Sequence, residues 1–293
     1  MTSPVEVSPA LLRERPLPDV GGTTDKESRG TVLVIGGSEE TPGAVLLAGV
    51  AALRVGAGKL QLATSAAVAP ALAVAVPEAR VIGLAAGCHP GSVVEVAHLA
   101  ERADAVLVGT GALDAEATGA LLSALVPVLG PETALVLDAG AIPVLAHAPG
   151  TVAPVRSRTV VAPNLAEARR MLPDLGADTP LDELLVAAVD RTGCVVAVRA
   201  PDTYVAGPGS DVYLDRSGHP ALGSSGSGDV FAGILAGLLA RGAEPLDAAL
   251  WAVHLHGRAG ELVAASVGGL GLLARELVDE IPRVLAAVAG SGV

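Results

Sequence analysis

Six short β-branched runs punctuate this chain at intervals too long for hairpins and long enough for helices. They are "TVLVI" (31–35), "KLQLAT" (59–64), "DAVLVG" (104–109), "ALVLD" (134–138), "TVVA" (159–162) and "CVVAVR" (194–199). Helical stretches at 43–55, 92–102, 114–126, 164–172 and 180–190 lie between them. Neighbouring parallel strands need a crossover of a dozen or more residues, and a helix supplies it. The alternation predicts an α/β fold, a three-layer αβα sandwich with a mostly parallel sheet. "TYVAG" (203–207) and "DVYLD" (211–215), separated by a Pro-Gly turn, read as an antiparallel hairpin at one edge. Helices at 229–241, 245–265 and 272–288 close the chain. The helix at 180–190 opens "TPLDE", where Thr179 is placed to cap it and Pro180 suits the first turn. No composition break or repeat is visible. The simplest organisation is a loose N-terminal arm, 1–30, followed by a single catalytic domain, 31–293, with no separate lid domain.

The core must be built largely without aromatic rings. Hydrophobic residues make up 51% of the 293 positions and aromatics 1%, so alanine, valine, leucine and isoleucine do the packing and let backbones approach closely. The formal net charge is −12, and Lys26 and Lys59 are the only lysines. A phosphate-backbone binder needs a basic face, so a nucleic-acid partner is not expected. An anionic small ligand would then depend on backbone N–H groups, helix N-termini or a metal. Cys88 and Cys194 lie far apart without metal-ligand spacing, which fits a reducing cytoplasm. The N-terminus lacks a signal-peptide pattern. The apolar runs are too short to span a bilayer: 230–240 lies between Asp229 and Arg241, and Pro70 breaks 66–76.

In open α/β sheets, ligands gather at the carboxyl ends of the strands. Glycine-rich or polar turns fall there: "GGSEETPGA" after the first run, "GTGAL" after the third, "DAG" after the fourth and "PNLAE" after the fifth. A further loop leads into a helix as "GSSGSGDVFAGILAGLLARG" (223–242). Its glycines allow close backbone approach, and the first turn of a helix has unpartnered N–H groups, which together form an anion hole. A carboxylate there, Asp229, is placed to take a proton from a hydroxyl as that hydroxyl attacks phosphorus. The competing reading is that Ser227 or Asp229 only caps the helix. "VFAGILAGLLA" is apolar on every face, so the helix is buried, and Gly233 and Gly237 admit a close neighbour.

"GSGDVFAGILAGLLARG" resembles the anion-hole segment of the ribokinase-like superfamily. Its closest branch is the ADP- or ATP-dependent NAD(P)H-hydrate dehydratases. Residues 30–64 are similar to that branch's opening block. "VPEARV" (76–81), "DAVLVGTGAL" (104–113) and "LWAVHLHGRAGE" (250–261) follow in the expected order. The resemblance implies a lyase that repairs hydrated nicotinamide cofactors. The hydrate's hydroxyl is phosphorylated from ADP or ATP with Mg²⁺, phosphate leaves, and NAD(P)H is restored. It implies Asp229 as general base, substrate contacts at Ala44, Gly111, Asn164 and Asp229, and nucleotide contacts at Ser227 and Gly228. Arg199, Ala200, Pro201, Asp202 and Thr203 ("RAPDT") fall where the family has a "KGxxT" nucleotide loop. A cytoplasmic homo-oligomer, commonly a homotetramer, is implied as well.

Several positions depart from that pattern. Arg199 and Ala200 replace Lys and Gly, "NLAE" replaces "HPGE", and "DAG" replaces "DAD", leaving Asp138. Thr41–Pro42 stands where a tyrosine is usual, and "HKG" becomes "DKE", keeping Lys26. "APNLAEARRML" also resembles the N-x-x-E segment of ribokinase-like small-molecule kinases, in which Asn164 and Glu167 would organise water and Mg²⁺; the alternative is a polar turn opening a solvated helix. Three readings stand: the dehydratase, a kinase for a small alcohol such as a vitamin precursor, and a non-catalytic nucleotide-binding relative. The intact GSGD loop argues against the third, and the long opening block favours the first. "HLH" (254–256) is not a convincing metal pair, since residues two apart on a helix do not share a face; packing or capping suits these histidines. Trp251 reads as a core or interface residue.

Overall fold

Strand β2 (Thr31–Ile35) sets the pattern of the molecule. Val32 and Val34 enter one apolar core, Leu33 and Ile35 the other, as the two-residue period of a strand requires. The computed structural model describes residues 3–19, 26–85, 90–112 and 114–290. The remaining strands are β1 (Val5–Glu6), β3 (Lys59–Ser65), β4 (Ala79–Leu84), β5 (Ala105–Val108), β6 (Ala134–Leu137), β7 (Thr159–Val161), β8 (Val195–Val198), β9 (Thr203–Ala206) and β10 (Tyr213–Asp215). They form one sheet in the order β1-β10-β9-β8-β7-β6-β5-β2-β3-β4. From β4 to β8 every pairing is parallel, and β9 runs against both of its neighbours.

Helices cover both faces. On one side lie α1 (Pro9–Glu14), α2 (Gly43–Arg54), α3 (Ala69–Ala75), α9 (Ser227–Ala240), α10 (Pro245–Val267) and α11 (Ala274–Ala289). On the other lie α4 (Pro90–Arg102), α5 (Ala115–Leu125), α6 (Ile142–His147), α7 (Leu165–Met171) and α8 (Leu181–Thr192). This is the αβα sandwich that the alternation predicts. Asp114 caps α5, its carboxylate accepting from the Glu116 and Ala117 amides at 3.0 Å. Helix α8 ends at Gly193 in the left-handed region. Thr179 does not cap α8: Pro180 holds the cap position and no side chain bonds the first turn.

The N-terminal arm differs from the loose segment expected. Strand β1 pairs parallel to β10, with Val5 N donating to Val212 O (2.8 Å) and Val7 N to Leu214 O (2.9 Å). The 203–215 hairpin therefore does not form the sheet edge; β1 covers it, which blunts an open ladder of hydrogen-bonding groups. Leu12 is fully buried, which stabilises by about 2 kcal/mol. Arg15 pairs with Asp247 (2.6 Å), and Trp251 Nε1 donates to Arg15 O (2.8 Å). Trp251 is thus a core residue that pins the arm. Strands β1 and β4 and helices α1, α3 and α6 are not among the strands and helices expected from the sequence. Among the described residues, no helix is long and apolar enough to cross a membrane. Cys194 is a buried free thiol, raised to about 11 by burial, and Cys88 lies outside the described residues.

Candidate active site

Gly226 opens α9 in the left-handed region (φ 88°), a conformation that costs glycine nothing. No side chain caps the helix. Ser227 Oγ instead meets His256 Nε2 at 2.9 Å, and Thr110 Oγ1 donates to Asp229 Oδ1. The capping reading of Ser227 and Asp229 does not hold; Ser227 N donates to Ser224 O (3.3 Å), which leaves the amides of Gly228 and Asp229 for a ligand.

A cavity of about 530 Å³ opens on this turn. It brings Ser227 and Gly228 together with Asn164, Arg199, Ala200, Pro201 and Thr203; of the 199–203 segment, Asp202 alone does not line it. Asp229, Ala44 and Gly111 lie outside its walls. A methyl group added at Gly111 would sit 2.6 Å from Ala44 Cβ, so these two residues touch, and Thr41 Oγ1 donates to Gly111 O (2.8 Å). The threonine standing in place of a tyrosine therefore ties the loop after β2 to the loop after β5. Thr110 links this second region to Asp229. The first turn of α9 thus presents Gly228 to the large cavity and Asp229 to the Thr110–Gly111–Ala44 side.

The next strand ends supply the charge. Asp138, at the end of β6, is buried, and Arg199, at the end of β8, reaches it from Nη2 at 2.8 Å while also donating to Ala162 O (2.9 Å). Backbone bonds beyond the strands hold Arg199 beside Asn164: Arg199 N donates to Pro163 O and Leu165 N to Arg199 O, both at 2.9 Å. Burial raises the Asp138 pKa to about 7, while the Arg199 guanidinium pulls it down and Glu167 and Asp229 push it up. Burial also raises Asp229 above the usual carboxylate range; the Thr110 hydrogen bond and Arg199 oppose the shift, and Glu167 adds to it. A buried carboxyl with a raised pKa is a stronger base once ionised.

Asn164 and Glu167 form a reciprocal capping box on α7: Glu167 N donates to Asn164 Oδ1 (2.9 Å) and Asn164 N to Glu167 Oε2 (2.8 Å). The N-x-x-E pattern has a local structural role here, as the plain turn reading expects. Among the described residues, no group of three or more His, Cys, Asp or Glu is disposed to hold a metal. With Asp138 held by Arg199, the donor set does not suit an all-protein cage. It suits a magnesium ion that arrives on phosphate oxygens and takes one or two further protein oxygens.

Three parts of the site go unsingled in the sequence. Thr110 lies inside the quoted "GTGAL" yet shows its role only through the contact with Asp229. The Asp138–Arg199 pair joins residues from two separate motifs. His256, expected to pack or cap, contacts Ser227 at the cavity wall.

Gly228 carries a prediction of its own. A Cβ there would lie 3.2 Å from Arg199 Cζ and closer still to Nη1. Gly228→Val should push the guanidinium off Asp138 and narrow the cavity, weakening nucleotide affinity at least ~10-fold, the scale of one charge-assisted hydrogen bond. The melting temperature should move little, because the obstructing group is the end of a flexible side chain. Calorimetry showing unchanged nucleotide binding would count against an anion hole at this turn.

A mostly parallel αβα sandwich with an uncapped helix start at the carboxyl edge of its strands defines a ribokinase-like protein. The fold superposes on a ribokinase-like superfamily protein of Enterococcus faecalis with a TM-score of 0.84, over 99% of this chain and 98% of that one, at 23% identity. Residues 32–283 match the NAD(P)H-hydrate dehydratase family, and the chain belongs to that family. An ADP-dependent (S)-NAD(P)H-hydrate dehydratase of Xanthomonas campestris pv. campestris is 43% identical over 286 residues, 95% of each chain. The ADP/ATP-dependent NAD(P)H-hydrate dehydratase of Bacillus subtilis, co-crystallised with ATP/Mg²⁺, superposes with a TM-score of 0.78 at 28% identity, over 98% of this chain and 99% of that one.

Proposed function

We propose that this chain restores NAD(P)H from its hydrate, using ADP in preference to ATP as phosphoryl donor. The observation that carries the reading is the two-sided first turn of α9: Gly228 faces the 530 Å³ cavity and Asp229 faces Thr110, next to the touching pair Gly111 and Ala44. A nucleotide in the cavity would place its terminal phosphate at the start of α9, against Ser227 and Gly228. The hydrate would lie on the other side, against Ala44 and Gly111.

Asp229 takes the proton from the hydrate hydroxyl as that oxygen bonds to the terminal phosphorus and the bond to the departing nucleotide oxygen breaks. The helix-start amides and Arg199 hold the phosphoryl charge. The ring-nitrogen lone pair then expels phosphate from the adjacent carbon, and loss of a proton from the next carbon restores the double bond. Glu167 and Asn164 would hold a magnesium ion, which would supply charge neutralisation there. The preference for ADP is supported by the relative named as ADP-dependent.

Product analysis tests the reading. The protein is incubated with hydrated NADH or NADPH, Mg²⁺ and either nucleotide. Free phosphate should form one-for-one with recovered NAD(P)H absorbance, faster with ADP. A stable phosphorylated small alcohol, with no action on hydrated cofactor, would overturn it in favour of a kinase.

A further inference from the structure

Phe231 is the only phenylalanine in the chain, and it stands between two nitrogen-bearing side chains at the cavity wall. The Arg199 Cζ lies 5.2 Å from its ring centroid, and the His256 ring meets it edge-on at 5.6 Å and 65°. His256 is buried on α10, with Nε2 2.9 Å from Ser227 Oγ and 3.0 Å from Ser227 O.

The second contact decides the direction of the first. A carbonyl oxygen can only accept, so a 3.0 Å approach by Nε2 requires hydrogen on Nε2. Burial and the nearby Arg199 guanidinium lower the His256 pKa to about 4, so at neutral pH the ring carries one N–H. That hydrogen lies between Ser227 O and Ser227 Oγ. Nε2 has no lone pair left to accept the serine proton, so the Ser227 O–H is free to turn elsewhere, and Ser227 lines the cavity.

We propose that His256 is a positioning residue: its Nε2–H holds Ser227 by two acceptors, so that the serine hydroxyl donates its own proton into the cavity, to the terminal phosphate of the bound nucleotide. This role rests on the functional reading above. It adds a side-chain donor to an anion hole otherwise made of backbone amides and one guanidinium. Serine caps of helices have their oxygen committed to a backbone amide; here the histidine replaces that commitment.

Two measurements test it. The first uses ¹⁵N-histidine NMR on the unmodified chain at neutral pH, with the His256 resonances assigned by their loss in His256→Gln. The proposal expects Nε2 protonated and Nδ1 bare, and the opposite tautomer overturns it. The second is a cycle of ADP affinities, measured with Mg²⁺ by calorimetry, for Ser227→Ala, His256→Leu and the double variant. Each single change should weaken binding about 10-fold, and the double should be no weaker than Ser227→Ala alone. His256→Gln keeps an N–H donor and should stay within ~3-fold of the unmodified chain. Losses that multiply in the double variant would assign His256 to packing alone and overturn the role. If His256→Leu does not fold, the tautomer and His256→Gln still decide. An unmodified chain that binds neither nucleotide sinks the functional reading, whereas normal binding with the wrong tautomer sinks only the positioning role.

Discussion

Asp229→Asn should lower turnover at least ~10²-fold, the scale of a lost general base, while nucleotide affinity and melting temperature stay near those of the unmodified chain. Asparagine keeps the shape of aspartate, and its Oδ1 can still accept from Thr110 Oγ1, so the contact seen at Asp229 survives. What is lost is the ability to take a proton. The same substitution separates this role from the helix dipole, because a neutral side-chain amide leaves the backbone amides of the first turn in place. The pH profile gives a second readout. Burial raises the Asp229 pKa, so the acid limb of kcat/KM should fall at a pH above the ~3.9 of an ordinary aspartate. Activity is lost as pH drops through that raised value, because the base becomes protonated. Near-normal turnover in the variant would remove Asp229 from the chemistry.

Gly233→Ala should destabilise the protein by about 3 kcal/mol or more, at or beyond the upper end of ordinary overpacking. In most helices the change is favourable by about 1 kcal/mol. Here α9 lies against α2 backbone to backbone. A Cβ at Gly233 would sit 2.7 Å from Ala48 Cα and carbonyl carbon, and one at Gly237 would sit 2.6 Å from Ala52 O. No rotamer change relieves a clash with main chain, so the helices must separate. Gly119→Ala in α5 is the control: its Cβ would rest 3.6 Å from Val144 Cγ2, an ordinary contact, and the variant should be neutral or stabilised. Denaturant midpoints that do not distinguish the two variants would show that the α2–α9 contact has slack.

The sheet and most of its helices are legible because residues of one sheet face recur at the two-residue period and the crossovers are long. Elements escape where the pattern has no room to develop. Strand β1 has two residues, and α1, α3 and α6 have six, seven and six. Strand β4 is an edge strand whose burial is interrupted at Gly83 and Arg80, so its apolar signal is diluted. The anion-hole loop is legible because glycine, serine and aspartate at a helix start have a local physical meaning. The Asp138–Arg199 pair and the Ser227–His256 contact are not, because each joins residues brought together only when strands or helices distant in sequence pack side by side. The N-x-x-E pattern at Asn164 and Glu167 has the opposite lesson: the same two residues close a local capping box and are proposed to hold magnesium, and sequence spacing alone does not separate the two roles.

The glycine-to-alanine seam between α2 and α9 also sets an order of events at the ribosome. Helix α2 ends at Arg54 and α9 begins at Ser227, so at ordinary synthesis rates the partner emerges on the order of ten to thirty seconds later. During that interval the small-residue face of α2 has nothing to dock against, and the sheet below it lacks its central cover. Such late, long-range closure slows folding and leaves apolar surface open to aggregation. The catalytic acid rides on the segment that ends this exposure, so the chain acquires its proposed proton acceptor in the same step that shields its core.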